Sequence, residues 1–254
     1  MAFKEENMNE NNQNKFYTSI SKYYSEIFPY NPAQLSFVKN RVGELAGKQI
    51  LDIGCATGEL AFQLTEAGAK VTGIDLNEDL LKQARENKAH PNSTFQVGNM
   101  LNIKADFEHG QFDVVLCFGN TLVHLESRKQ ILQMFQGVDS VLKPGGLFFI
   151  QILNYDYIVD EQIFELPVIE TDNIRFVRKY LFGENKDQVI FHTNLQLKKE
   201  NKLISNETKL LSLKSKDLKE LLIHENFRDI EFFSTFKMEP FGGKHLPLVI
   251  SCRR

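Results

Sequence analysis

Short apolar runs alternate with longer amphipathic stretches over the first 153 residues. The runs are bounded by acids, glycines or turn residues, a pattern typical of strands buried on both faces. The stretches between them repeat apolar residues at helical spacing. The predicted strands lie at residues 49–53, 70–75, 94–97, 112–118 and 147–152. Strands that alternate with helices in this order predict a mostly parallel sheet with helices on both faces.

The segment before the first strand is rich in aromatic residues. They recur at helical spacing from Phe16 to Phe28, which predicts one helix, and prolines at 29 and 32 end it and open a second helix over residues 33–45. An aromatic stripe of this kind is usually packed in a core, which is the simpler interpretation. The residues from Met1 to about Lys15 are rich in Asn and Glu, and they are predicted to form a mobile tail.

The periodicity changes at Asn154. Apolar and polar residues alternate between residues 166 and 213, with turn-like segments at 183–187 and 200–202, which predicts a three-stranded antiparallel meander. A helix from Ser215 to about Glu225 and two strands, at 229–233 and 246–251, complete the chain. We therefore predict an α/β fold, a doubly wound and mostly parallel seven-stranded sheet that carries an antiparallel β cap as an insertion. The predicted units are residues 1–48 (tail and leader helices), 49–153 (core), 154–213 (cap) and 214–254 (completion of the core sheet).

Composition narrows the function classes. The chain has 254 residues, 25% of them charged, with a net charge of −3 and both signs interspersed. A nucleic-acid partner or an anionic membrane would require a concentrated basic face, so neither is expected. The cysteines, at 55, 117 and 252, lack metal-ligand spacing, so buried thiols and no metal site are predicted. No apolar run approaches membrane-spanning length, and a soluble cytoplasmic protein is expected.

The joint between the first strand and its helix reads Asp-Ile-Gly-Cys-Ala-Thr-Gly over residues 52–58. Gly54 and Gly58 permit a close approach of ligand to backbone, and the helix that follows presents unpaired N–H groups. A dinucleotide-binding loop would read G-x-G-x-x-G, which this register does not fit. The segment instead resembles motif I of the class I S-adenosylmethionine (SAM) methyltransferases, D/E-x-G-x-G-x-G, with Ala56 in place of the middle glycine. The resemblance implies SAM as the cofactor, bound beside Asp52, Gly54, Ala56 and Gly58.

The second predicted strand ends in Asp75, one strand–helix–strand unit after Asp52. A carboxylate at that position lies beside the first loop of a doubly wound sheet and can accept hydrogen bonds from both ribose hydroxyls of a nucleoside. The resemblance also implies an adenine site around the loop after the third strand, where Asn99 would meet the exocyclic amine and Met100 and Leu76 would enclose the ring. The remaining predicted cofactor contacts are Tyr17 of the leader and Cys117 and Phe118 at the end of the fourth strand.

Three further segments resemble glycine N-methyltransferase and its sarcosine- and dimethylglycine-methylating relatives. They are residues 118–125 (FGNTLVHL), 143–146 (KPGG) and above all 154–158 (NYDYI). The resemblance extends at motif level over about residues 50–158, and the cap matches only in layout. It implies a methyltransferase whose partner is a small-molecule acceptor, with an amine or amino acid nitrogen as the methylated atom. It leaves the oligomeric state open.

Candidate acceptor residues follow from the chemistry of transfer to nitrogen. A neutral amine must be held in line with the methyl group and shielded from water, but it needs no strong general base. Asn120 and His124 follow the fourth strand where a methyl group would project, and Tyr155 can line the mouth of the site, so these three are the catalytic candidates. Tyr24 and Asn120 are candidate substrate contacts. A helix-capping Asn, a surface His and a packed Tyr are the simpler structural alternatives.

The cap offers two candidates for binding an acceptor carboxylate, Arg175 and Arg178. They are three residues apart on a predicted strand, so they point to opposite faces, and at most one of them can face the site. Outward-facing surface charge is the alternative for both.

Other functions remain open from the sequence. A methyltransferase-like protein that binds SAM without catalysis would have the same motifs. Only Ala56 and Asn99, where the chain departs from the usual motif residues, hint at this alternative. A nicotinamide-dependent oxidoreductase would also use Asp75 for a ribose, but the glycine register argues against it. A nucleic-acid methyltransferase lacks support, because the chain has neither a basic face nor an Asn-Pro-Pro-Tyr-like tetrad.

Overall fold

The computed structural model describes residues 13–254. Most of the predicted N-terminal tail, residues 1–12, lies outside the described residues. The helices, in chain order, are α1 (residues 13–20), α2 (Tyr24–Ile27), α3 (Pro32–Val42), α4 (Glu59–Glu66), α5 (Glu78–Asn87), α6 (Ile103–Asp106), α7 (Arg128–Val141), α8 (Tyr155–Asp160) and α9 (Ser215–His224). There are also two 3-10 helices. Ser21–Tyr23 lies between α1 and α2, and Thr121–His124 follows the fourth strand.

The strands form two sheets. They are β1 (Gln49–Ile53), β2 (Lys70–Asp75), β3 (Ser93–Val97), β4 (Phe112–Cys117), β5 (Leu142–Leu153), β6 (Ile169–Glu170), β7 (Ile174–Phe182), β8 (Gln188–Leu197), β9 (Lys202–Leu211), β10 (Arg228–Phe233) and β11 (Pro247–Arg253). The main sheet has seven strands in the order β10-β11-β5-β4-β1-β2-β3, and the cap sheet has four in the order β6-β7-β8-β9.

Strand directions in the main sheet confirm the predicted fold class. The pairs β1–β2, β1–β4, β2–β3 and β4–β5 are parallel, whereas β11 is antiparallel to both β5 and β10. The chain order therefore reverses between β1 and β4, and a doubly wound sheet binds its ligands at the carboxyl ends of the strands beside such a reversal. This position is where the candidate site residues cluster.

Apolar burial holds the layers together. Ile50 and Leu51 of β1 face opposite sides of the sheet, and neither side chain is exposed to solvent. One cluster, with Leu51, joins the sheet to α7 and α9, and a second, with Ile50, joins it to α3 and α4. A third cluster lies between the leader and the cap sheet, where Phe16 and Ile20 pack with Phe176 of β7. The cap thus covers the leader helix, and the leader covers the edge of the core.

The elements differ from the sequence prediction in three places. The leader is not one helix, because the 3-10 helix Ser21–Tyr23 interrupts it, and it is already helical at residues 13–15. The third helix ends at Val42, earlier than predicted, because Gly43 takes a positive φ of 81°. The cap sheet has β6 as a fourth strand, which is only two residues long and pairs with β7. Within residues 13–254, no helix is long and apolar enough to cross a membrane.

Candidate cofactor and acceptor site

A cleft opens at the carboxyl ends of β1, β2 and β4, between the main sheet and the leader. Its walls come from the loops after these strands and after β3, from α5 and from α1 and α2. Predicted cofactor residues and predicted acceptor residues meet there: the lining includes Tyr17, Tyr24, Gly54, Ala56, Asp75, Leu76, Met100 and His124. The structure therefore brings together side chains that are up to 107 residues apart in sequence.

The loop from β1 to α4 requires glycine at its first position. Gly54 has a φ of 73°, and a Cβ atom there would lie 2.6 Å from Oγ1 of Thr121, in the loop after β4. The backbone of the β1–α4 loop and the β4 loop thus touch at the floor of the cleft. Ala56 also has a positive φ, 48°, which explains why glycine is the usual residue at this middle position of the motif.

Asp75 is the carboxylate that faces the cleft. The backbone N–H of Ala56 donates to its Oδ2 (3.0 Å), and the backbone N–H of Asn77 donates to its Oδ1 (2.9 Å). Burial raises the pKa of this carboxyl, and the backbone N–H groups oppose that rise. Each oxygen has a second lone pair, so the carboxylate can still accept two hydroxyl groups, as a ribose diol would require. The donor set of Asp75 therefore fits a nucleoside.

Asp52 lies deeper, at the end of β1. Only 4% of its surface is exposed, and it lines a second lobe of the cleft with Tyr24, Thr57 and Phe118. Burial, and then the negative charge of Asp75, raise the pKa of Asp52 to about 7. Two buried acids side by side make this end of the cleft suitable for a cationic group, since a positive charge would relieve the desolvation of both.

The other end of the cleft is apolar. Leu76, Leu80 and Met100 line it together with Gly98, whose missing side chain leaves room beside Ile74. Asn99 holds the loop in shape, because its Oδ1 accepts a hydrogen bond from the backbone N–H of Leu101 (2.9 Å). An apolar slot beside a diol-binding carboxylate matches the shape and chemistry of adenosine.

Hydrogen bonds tie the leader to α5 and its N-cap, at the edge of this cleft. Asn77 caps α5 through Oδ1, and its Nδ2 donates to Oδ1 of Asn14 (2.5 Å) and to Oγ1 of Thr18 (2.9 Å). The Gln83 side chain donates to the backbone oxygen of Ser21 (3.1 Å). Helix α1 therefore forms a roof over the site, and Tyr17 points from that roof into the cleft.

Tyr17 and His124 meet across the cleft. The Tyr17 hydroxyl and Nε2 of His124 are 3.0 Å apart and share a hydrogen bond. Burial lowers the pKa of His124 to about 4, so its imidazole is neutral near pH 7. Its other ring nitrogen, Nδ1, is buried and has no hydrogen-bond partner within the described residues. A buried polar atom without a partner calls for an explanation, and a ligand in the adjoining cleft would supply one.

Asn120 and Tyr155 lie next to the cleft, behind the side chains that line it. Asn120 has a positive φ of 66°; its Oδ1 accepts from the backbone N–H of Leu153 (2.9 Å), and its Nδ2 donates to the Tyr155 hydroxyl (3.4 Å). Tyr155 has no exposed surface, and burial raises its pKa to about 12. Asn120 therefore locks the β4 loop to the end of β5, and any contact with an acceptor would have to be made alongside this structural role.

Seven predicted site residues are not part of the cleft lining. Asn99, Asn120 and Tyr155 lie next to it, and the other four lie apart from it. Gly58 packs against the Phe95 ring, where a Cβ atom would come within 2.7 Å, and Cys117 is fully buried in the core. Arg175 is exposed and forms an ion pair with Glu170 (3.6 Å). Arg178 is half-buried on the opposite, inner face of β7 and donates to the backbone oxygen of Pro167 (2.8 Å). Of the two cap arginines, only Arg178 lies on the face that covers the leader and the core.

Sequence reasoning missed Thr121, Asn77 and Leu80, which shape the cleft or its roof. Asn77 is the N-cap of α5, a role that local sequence can indicate. Its second role depends on a leader helix that is 59 residues away in sequence, and no local pattern reports such a contact. Thr121 could have been found from its position two residues after Gly119, since loops at the ends of adjacent parallel strands meet.

A comparison with known protein families supports the interpretation of this cleft as a cofactor-binding site. Residues 50–146 match the family model described as a methyltransferase domain. The match runs from β1 into β5 and so includes the loops that form the floor and the apolar end of the cleft. Over these residues the chain is therefore similar to a methyltransferase domain.

Curated relatives and solved structures agree with that match. Over 132 residues, the chain is 35% identical to a ubiquinone biosynthesis O-methyltransferase from Idiomarina loihiensis, which covers 52% of this chain and 53% of that relative. The chain thus spans about half the length of such curated relatives.

The CcbJ methyltransferase from Streptomyces caelestis superimposes with a TM-score of 0.77 over 92% of this chain and 95% of its own, at 20% identity. SAM-bound CalS10, an amino pentose methyltransferase from Micromonospora echinaspora, superimposes with a TM-score of 0.65 over 87% and 90%, at 15% identity. Likeness at these identities establishes the fold, a Rossmann-like methyltransferase fold with an added antiparallel sheet.

Proposed function

We propose that this chain, whose core is a class I SAM-dependent methyltransferase domain, transfers a methyl group from SAM to the nitrogen of a small amine. The observation that carries the proposal is the cleft itself. It has a nucleoside-fitting half around Asp75, and it continues past the β4 loop to two neutral polar groups, His124 and Tyr17. The first half suits a donor and the second half an acceptor.

The residues present fit SAM at one end of the cleft. Asp75 would hold the ribose, the slot between Leu76 and Met100 would hold the adenine, and the buried acid Asp52 would pair with the ammonium group of the amino acid end. When bound there, SAM supplies a methyl group on a positively charged sulfur. The roof formed by α1 would exclude water from this group, which protects the donor and strengthens electrostatic contacts inside the site.

The acceptor half is suited to an uncharged nitrogen nucleophile. In the transfer, the nitrogen lone pair forms the new bond to carbon, the carbon–sulfur bond breaks, and the amine then releases a proton to solvent. His124 is neutral near pH 7, and Tyr155 retains its proton, so no ionised group faces the acceptor from these side chains. Their role is to orient a neutral amine: Nδ1 of His124 is positioned to exchange a hydrogen bond with it, which fixes the direction of the lone pair.

Methylation at oxygen is the competing chemistry, because the curated relative from Idiomarina is named as an O-methyltransferase. An alcohol or phenol acceptor must lose its proton as it reacts, which calls for a base with a pKa near the working pH. A histidine with a pKa of about 4 is a poor base at pH 7, and Asp52, whose pKa of about 7 would suit a base, lines the second lobe, which is assigned to the donor. This observation favours nitrogen.

The test is to offer methyl-labelled SAM with defined acceptors at pH 7.5 and to detect products by mass spectrometry. Glycine and sarcosine serve as amine acceptors, and a catechol serves as the oxygen acceptor of comparable size. We expect label in at least one amine and none in the catechol, with one equivalent of S-adenosylhomocysteine for each methyl group transferred. Label in the catechol alone would contradict transfer to nitrogen. Bound SAM with no transfer to any acceptor would favour a SAM-binding protein without catalysis.

A further inference from the structure

A band of polar side chains crosses the inner face of the cap sheet. Arg178 of β7 lies directly opposite Thr193 of β8, and Thr193 lies opposite Asn206 of β9. One step along, Tyr180 lies opposite Phe191, and Phe191 lies opposite Thr208. Residues paired across antiparallel strands point to the same face, so these side chains share one surface. We call Arg178, Tyr180, Thr193, Asn206 and Thr208 the polar band.

The position of the polar band is unusual, since the cap surface on either side of it is apolar. On one side, Ile174, Phe176, Leu195 and Leu197 pack against the leader. On the other side, Val189 and Leu210 pack into the main core. An inner sheet face that only held the cap onto the core would be apolar throughout.

Several buried atoms of the polar band have no partner. Within the described residues, the buried side-chain atoms without a hydrogen bond include Nε of Arg178 and the hydroxyls of Thr193 and Thr208. Thr193 and Thr208 are only 1% and 5% exposed. Buried polar atoms are normally satisfied, and each orphan destabilises the fold. Three orphans on one surface are therefore a feature that a ligand would explain.

The charge of Arg178 is also uncompensated. It forms no ion pair among residues 13–254, whereas its neighbours on the outer face, Arg175 and Lys179, pair with Glu170 and Glu165. The Tyr180 side chain lies beside it, and burial lowers the pKa of the guanidinium. A half-buried cation of this kind favours an oxygen-bearing, preferably anionic, partner.

The polar band adjoins the elements that carry the acceptor half of the cleft. The 3-10 helix Thr121–His124 packs against β9, and His124 contributes a further buried orphan, Nδ1. The Tyr180 ring is 6.2 Å from the Tyr155 ring, whose hydroxyl accepts from Asn120. On the leader side, the Asn206 side chain donates to Oγ of Ser19 (3.1 Å). The polar band is therefore a neighbour of His124 and Tyr155, the predicted acceptor residues.

We propose that the polar band binds the oxygen-bearing part of the acceptor, so that the acceptor is a compact polar amine with a carboxylate or hydroxyl groups placed away from its nitrogen. This inference rests on the proposed transfer to nitrogen and adds the class of substrate. A carboxylate would draw on Arg178, and hydroxyl groups would draw on Thr193, Thr208 and Tyr180. Both sources present the same chemistry, oxygen atoms that accept and donate hydrogen bonds in a dry site.

The experiment compares three amines as acceptors of label from SAM: glycine, which has a carboxylate; glucosamine, which has hydroxyls; and propylamine, which has no oxygen. The variants are Arg178→Met and the double variant Thr193→Val/Thr208→Val. Arg175→Met is the matched control on the outer face of the same strand, and Thr94→Val is the control for an exposed strand threonine. SAM affinity is measured for every variant, as a check on the cofactor half.

We expect label in glycine or glucosamine and little in propylamine. Arg178→Met should raise the KM for glycine about tenfold, and the threonine variant should raise the KM for glucosamine by a similar factor, as expected for lost hydrogen bonds of these types. SAM affinity should not change, and the control variants should behave as the parent protein does. The acceptor-free threonine variant should also melt about 3 °C higher, because removal of a buried orphan hydroxyl is stabilising.

The outcomes separate this inference from the proposed function. If no amine accepts label, the proposed transfer fails and this inference fails with it. If propylamine is labelled as well as the polar amines, or if the band variants leave every KM unchanged, the transfer stands and the assignment of the polar band is overturned. A melting temperature that falls in the threonine variant would show that these hydroxyls have structural partners, which would also overturn it.

Discussion

Replacement of Asp52 by Asn should make the protein more stable at alkaline pH. Asp52 is 4% exposed, and burial together with the charge of Asp75 raises its pKa from 3.8 to about 7. Between those two values, the folded protein holds a proton that the unfolded chain has released. Stability contributed by this group is therefore lost as the pH rises from about 4 to about 7. The shift is about 3 pH units, and each unit corresponds to about 1.4 kcal/mol, so the loss is at most about 4 kcal/mol.

The asparagine side chain keeps the shape of Asp52 and removes its titration. Urea unfolding of the ligand-free protein at pH 5 and pH 8 gives the free energy of unfolding of each variant at both values. We expect the parent protein to lose about 2–3 kcal/mol more than Asp52→Asn between these two pH values, because about 2 of the 3 pH units of the shift lie above pH 5. Asp172→Asn, at an exposed acid in the cap, is the control and should follow the parent. Equal pH dependence in the parent and in Asp52→Asn would refute the reasoning, since it would mean that Asp52 is not a desolvated acid.

Three further predictions test the cleft. Asp75→Asn should weaken SAM binding about 10- to 100-fold in calorimetry, because charge-assisted hydrogen bonds to the ribose are lost. The control Asp79→Asn, at an exposed neighbouring acid, should bind SAM as the parent does. Unchanged SAM affinity in Asp75→Asn would contradict the ribose assignment. Gly54→Ala should destabilise the protein by at least about 1 kcal/mol more than Gly110→Ala in thermal unfolding. Both glycines have a positive φ, but only at Gly54 would a Cβ atom lie within 2.6 Å of a neighbouring atom. Equal losses of stability would mean that this close approach is unimportant. The imidazole of His124 should titrate by NMR with a pKa of about 4, because it is buried, and an inflection between pH 6 and 7 would contradict its neutral role.

The main sheet could be predicted because burial on both faces leaves a strong mark on sequence. Apolar residues dominate β4 and the centre of β1, and in β2 Val71 and Ile74 are buried; the helices that follow these strands show one apolar stripe each. The break in the leader and the two-residue strand β6 leave no such mark. Both are fixed by contacts with the cap and the core, so propensity alone does not report them.

The cofactor half of the site was predictable for a related reason. Asp75 and Gly54 stand at the ends of strands, and parallel strands bring their carboxyl ends to one edge of the sheet. The acceptor half depends on registers and distant contacts instead. That Arg178 faces Thr193, and that Tyr17 reaches His124, follows from pairing and packing over long separations, for which a single sequence carries no signal.

The most direct test of the central claim is the incubation of the purified chain with methyl-labelled SAM and the small-molecule fraction of a cell extract, with products read by mass spectrometry. Asp75→Asn, assayed alongside, reports whether any transfer depends on the cleft. We predict label in a small polar amine and S-adenosylhomocysteine in equal amount, with both reduced in the variant. SAM that binds but never yields a labelled small molecule would contradict the claim that this protein is a small-molecule methyltransferase.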